Sequence, residues 1–121
     1  MATMADYVVL RDASFTLKKD DEKTLPTITL ASNVSRGRGQ SKPILAYVAD
    51  PSDDAKDLKY EIWINEKRIE TGSFSGGVKR GLWEVFTFPE NNDITIQFKV
   101  ESGTGKVRFQ DVVLWFQRTG F

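Results

Sequence analysis

The sequence predicts an all-β fold, an antiparallel β-sandwich of jelly-roll type with eight or nine strands. Three observations predict it. Apolar residues recur at every second position, most cleanly where Ile94, Ile96, Phe98 and Val100 alternate with Thr95, Gln97 and Lys99. Clusters of Gly, Ser, Asn and Asp interrupt such runs at intervals of about ten residues, the spacing of sandwiches and jelly rolls. No run of ten or more residues repeats apolar side chains at i, i+3, i+4 and i+7, as an amphipathic helix would.

The elements follow in order. Residues 6–11 (DYVVLR) and 14–18 (SFTLK) read as one strand broken near Asp12, or two short ones. Residues 25–31 alternate Ile28 and Leu30 with Thr27 and Thr29, and Pro26 suits a strand start or edge. Asp20, Asp21 and Glu22, flanked by Lys18, Lys19 and Lys23, read as an exposed loop. Residues 31–43 (ASNVSRGRGQSKP) form the longest loop, and 44–49 (ILAYVA) a strand apolar on both sides. Residues 51–58 (PSDDAKDL) could hold at most one helical turn. Strands then follow at 58–65, 67–74, 82–88, 94–101 and 105–117. Asn65-Glu66-Lys67 and Ser102-Gly103-Thr104-Gly105 are hairpin turns, and Pro89–Asp93 is a turn whose Asn and Asp residues tolerate left-handed backbone. With no repeat and no linker, residues 1–121 read as a single β-sandwich domain.

Three aromatics sit awkwardly in this pattern. In 58–64, Leu58, Tyr60, Ile62 and Ile64 point to the core, which leaves Trp63 with Lys59, Glu61 and Asn65 on the polar face. Either a neighbouring segment covers Trp63 or it is a stacking platform. In 82–88, Leu82, Glu84, Phe86 and Phe88 share one face and Trp83, Val85 and Thr87 the other, so this strand is expected inside a sheet or against a subunit. In the last strand, inward Val107 and Phe109 would send Val113 and Trp115 inward too, with Val112, Leu114 and Phe116 outward; a bulge near Gln110–Asp111 would reverse this.

Composition narrows the chemistry. Cysteine and histidine are both absent, which removes disulfides, thiolate and imidazole ligands, thiol nucleophiles, the commonest general base and any serine triad with it. Catalysis is therefore not expected. Lys plus Arg equals Asp plus Glu, 17 against 17, so a nucleic-acid partner is not expected either. No apolar run reaches the 18 or more residues that a spanning helix needs, and MATMADYVVL does not resemble a signal peptide. A cytoplasmic protein, or a processed secreted form, is the expectation.

Few constellations remain. Asp50, Asp53, Asp54 and Asp57 follow a strand, but their spacing matches no EF-hand; calcium is possible there, and a solvated turn is the favoured reading. Arg36 and Arg38, separated by Gly37, have the planar guanidinium suited to bidentate recognition. Lys79 and Arg80 follow a second Gly-rich loop and would join that patch if both loops met at one end of the sandwich. Glu61 and Glu84 lie on strands, and nothing selects them as a catalytic carboxylate pair.

The second half carries a resemblance. Asn92, Ile94 and Ile96 fit an N-x-I-x-F type strand, and Gly105, Val107, Phe109, Asp111, Val112 and Leu114 a closing strand of G-x-V-x-F-x-D-V-x-L type. This order is similar to the second half of galactose-binding-like and carbohydrate-binding-module jelly rolls. The resemblance implies that fold and carries over no sugar-binding residues. The expectation is a non-catalytic, lectin-like module with Trp63 as platform and Arg36, Arg38, Lys79 or Arg80 as hydrogen-bond donors, needing no cofactor. The alternative is a structural or assembly protein that oligomerises, or docks on another protein, through its apolar C-terminal strand.

Overall fold

A computed structural model describes residues 3–11, 13–38 and 41–119. The strands are β1 (Thr3–Arg11), β2 (Phe15–Lys18), β3 (Glu22–Thr24), β4 (Ile28–Thr29), β5 (Ile44–Pro51), β6 (Lys56–Ile64), β7 (Lys67–Phe74), β8 (Arg80–Val85), β9 (Asp93–Ile94), β10 (Ile96–Thr104) and β11 (Lys106–Thr119). All pairing is antiparallel. One sheet runs β1-β11-β5-β8, with β2 beside the first half of β11. The facing sheet runs β3-β10-β6-β7, and β4 with β9 makes a two-stranded piece. The all-β jelly-roll expectation holds; the described residues form eleven strands where eight or nine were expected, because some are only two or three residues long.

The core fills the space between the sheets. Phe109, fully buried, has five aromatic rings within 6.4 Å of its own: Phe98 at 4.9 Å, Phe15 at 5.6 Å, Tyr47 and Tyr60 at 5.9 Å, and Phe74. These rings come from both sheets and from six strands, so tilted and edge-on ring contacts tie the layers together. Ile62, Ile64, Ile94, Ile96, Leu45 and Leu114 extend the core along the strands.

The last strand takes the bulged alternative. Its register with β5 shifts between Gln110 and Val113, and Asp111 has φ 53°. The extra residue moves the pattern by one, so Val107 and Phe109 point inward and so do Val112, Leu114 and Phe116. Val113 and Trp115 face outward.

Residues 51–58 hold no more than the single turn expected: Pro51 ends β5, the Ala55 N–H donates to the Ser52 carbonyl, and β6 begins at Lys56. Other expectations are corrected. Glu22 belongs to a strand, because β3 pairs with β10 through Glu22↔Lys99. Pairing in 82–88 stops at Val85, and β8 is the edge of its sheet, not an interior strand. Trp83 is therefore 68% exposed. The break near Asp12 falls at a residue outside those described.

The hairpin between β6 and β7 is tighter than expected. Ile64 pairs with Lys67, so only Asn65 and Glu66 form the loop, both with positive φ, as a type I′ turn requires. Asn65 then ties the loop to the segment where β9 leads into β10. Its amide donates to the Asp93 carbonyl at 2.9 Å, and its side-chain oxygen accepts from the Thr95 N–H at 2.8 Å.

Candidate functional site

Trp63 lies on the outer face of the four-stranded sheet. The strand period puts it there, and pairing brings Gln97 of β10 directly opposite. It is neither bare nor covered. Its Nε1 donates to Glu61 Oε1 at 3.2 Å, and Lys99 Nζ sits 4.5 Å from the ring centroid. Glu61 is itself held, accepting from Arg68 at 3.0 Å. Burial pushes the Glu61 carboxyl up, but the bonds from Arg68 and Trp63 outweigh it and the group lies below its ordinary range. The Glu61–Arg68 pair thus fixes the indole edge, and Lys99 lies against its face.

Beside Trp63 a groove of about 470 Å³ opens, lined also by Thr24, Asn65, Glu66, Asn91, Thr95 and Gln97. Apart from the indole, its lining is amide, hydroxyl and carboxylate. Several of these groups are oriented by one another: Gln97 donates to Thr24 Oγ1 at 3.0 Å, and Thr95 Oγ1 bonds Thr27 Oγ1 at 2.7 Å. A second hollow of about 420 Å³ shares Asn65 and Asn91 with the first and reaches Arg38 and Lys67. One rigid aromatic plane with convergent hydrogen-bonding groups suits a polyhydroxylated ligand, whose C–H faces stack and whose hydroxyls exchange hydrogen bonds.

The expected site residues separate into two groups. Arg36 holds the neighbouring turn in place, donating to the carbonyls of Pro89 and Asn91 at 2.9 Å and to Asn92 Oδ1 at 2.8 Å. Arg38 is exposed in the second hollow, on the Trp63 side. Lys79 and Arg80 stand at the other end. Arg80 pairs with Ala49 while Val85, at the Arg36 end, pairs with Ile44, a separation of roughly 17 Å along the strand. The Arg80 guanidinium lies over the Phe74 ring at 5.3 Å. The two Gly-rich loops therefore do not make one basic patch.

The carboxylates are dispersed too. Glu61 points out of the four-stranded sheet, whereas Glu84 turns into the space between sheets and accepts from the Tyr47 hydroxyl at 2.8 Å. Tyr47 in turn bonds Tyr60 at 2.9 Å. Burial first, and then Glu70 beside it, push the Glu84 carboxyl up to about 7, against the opposing effect of the Tyr47 bond. In the acidic segment, Asp50 pairs with Arg108 at 2.8 Å and Asp54 accepts from Ser52 at 2.6 Å. Among the described residues no three acidic side chains gather in metal-binding geometry, and no helix is long and apolar enough to cross a membrane.

Gln97, Thr95, Thr24 and Asn65 were not singled out from the sequence as site residues. The polar half of the 94–100 alternation did signal two of them. The missing information was the register that sets Gln97 against Trp63.

Compared by sequence, the chain matches no protein-family model and no curated protein. Compared by structure, it matches many. A carbohydrate-binding module, CBM36, in complex with calcium and xylotriose superposes with a TM-score of 0.54 at 12% identity, over 96% of this chain and 99% of that one. The fold is that of the carbohydrate-binding-module jelly rolls. The C-terminal domain of EclA, a sugar-binding protein, has a TM-score of 0.56 at 10% identity, over 94% of this chain and 79% of the other. Dimeric latent PorU from Porphyromonas gingivalis has a TM-score of 0.66 at 12% identity; the match covers 96% of this chain but 13% of PorU.

Proposed function

We propose that this domain is a non-catalytic carbohydrate-binding module, and that a sugar chain lies in the groove beside Trp63. The observation that carries the reading is the groove itself: an indole held by Glu61 and Lys99, facing amide and hydroxyl side chains. The fold supports it, because modules of this architecture that bind sugars match the chain over nearly their whole length. Asn65, Thr95 and Gln97 exchange hydrogen bonds with ring hydroxyls, and Arg38 reaches a longer chain through the second hollow. Arg36 acts indirectly by holding the 89–92 turn.

The test is a glycan array followed by fluorescence titration of the best oligosaccharide. Trp63→Ala is expected to weaken binding at least tenfold, about 1.4 kcal/mol. Silence across the array, or full affinity in Trp63→Ala, would overturn the reading.

A further inference from the structure

We infer that the outer face of the five-stranded sheet is a self-association surface, covered by the same face of a second copy of this chain in a two-fold pair. The face is built by register. Tyr7, Trp115, Ile44 and Val85 stand opposite one another across β1, β11, β5 and β8, and Val9, Val113, Ala46 and Trp83 form the next row. Eight adjoining positions carry no charge. The core does not need them, since its side of the same strands is filled by Leu10, Val112, Leu114, Leu45 and Tyr47.

Water reaches these side chains. Trp83 is 68% exposed, Val85 57%, Tyr7 55%, Val9 51% and Trp115 44%. Exposed apolar residues scattered singly are ordinary, but a contiguous patch marks a contact. Tyr7 and Trp115 are already packed together, with ring centroids 4.9 Å apart.

Size and charge select the occupant. Weighting side-chain areas of roughly 150–250 Å² per aromatic by these exposures and adding the valines gives roughly 400–600 Å². With its rim, that approaches the roughly 800 Å² per partner of a standard interface. A two-fold contact sets a surface against itself, so any charge within it would meet its own sign. The eight positions have none, Lys42 stands at their border beside Ile44 and Trp115, and the whole chain balances 17 cations with 17 anions, so copies carry no net repulsion. The charged pair Arg108–Asp50 lies beyond the patch, towards the far end of the sheet.

Light scattering on the full chain at about 100 μM, far above the micromolar Kd of a modest interface, is expected to give twice the monomer mass. Val113→Arg and Trp83→Ser should each yield monomers with unchanged circular dichroism, because both side chains lie outside the core. Trp63→Ala should still pair, which separates this proposal from the sugar-binding reading. A monomeric wild type would overturn it, as would a pair that survives both substitutions. A monomer that instead sediments through Trp83 and Trp115 with insoluble polysaccharide or phospholipid vesicles would also overturn it, by naming a different occupant.

Discussion

The two outer faces of this sandwich set tryptophan in opposite surroundings. On the four-stranded sheet, Trp63 is half-buried, tied through Nε1 to Glu61 and lined by Lys99, Gln97 and Asn65. On the five-stranded sheet, Trp83 and Trp115 stand among Tyr7, Val9, Val113 and Val85 with no charged neighbour in either row. The same residue type is oriented by hydrogen bonds on one face and left free to exclude water on the other. An aromatic set among polar groups can position a ligand with many hydroxyls, whereas one set among valines can only reward burial.

The comparison breaks hardest at the bulge. Deleting Asp111 restores strict alternation, so the chain must expose Val112, Leu114 and Phe116 or swing Val107 and Phe109 into water. Burial of each such side chain is worth about 1.5–3 kcal/mol, and losing three of them approaches the whole stability of a domain. The deletion is expected to abolish the folded far-ultraviolet circular dichroism spectrum; a folded variant would show that the apolar face does not depend on the bulge.

Glu61→Ala sharpens the other side. It leaves Arg68 without its carboxylate and the indole without its acceptor, at a cost of about 1–2 kcal/mol in urea unfolding. Sugar affinity should fall with it, because the ring loses its orientation, while the mass at high concentration should not change. Equal loss on both faces would argue that they are one coupled system.

The smallest effect belongs to the rim between the sheets. A carboxyl raised from 4.5 to about 7 takes up a proton on folding, so Glu84 favours the folded state fully below the lower value and loses that contribution as pH rises through the upper one. The free energy of urea unfolding is therefore expected to fall between about pH 5 and pH 8, by about 1 kcal/mol once solvent screening is allowed for. Glu84→Gln keeps an acceptor for Tyr47 and should flatten that slope; an unchanged slope would assign the titration elsewhere.

Much of the fold was legible where alternation is uninterrupted. The run Ile94, Ile96, Phe98 and Val100 points inward as its period requires, and so does Leu58, Tyr60, Ile62 and Ile64. Alternation says nothing about which strand lies beside which. That is why β8 was expected inside a sheet when it forms an edge, and why Gln97 was not seen as the partner of Trp63. It is also why Lys79 and Arg80 were grouped with loops at the far end. The bulge was one of two readings of residues 105–117; choosing between them needed the φ of Asp111, which Asp tolerates without announcing. The polar side of the groove was legible as exposed residues and no further, since a Thr or Gln in water looks the same whether or not a ligand visits.

The opposed placement of the two faces has a geometric consequence. Sheets that pack face to face lie roughly 10 Å apart, so two sandwiches joined through their five-stranded sheets would form a stack of four layers. Their grooves would then open on its two outermost surfaces, roughly 30 Å apart and facing away from each other. Such a particle could not clamp one short sugar from both sides. It could bridge two polymer chains, and its valency would appear as cross-linking of a polysaccharide rather than as tighter capture of a single oligosaccharide.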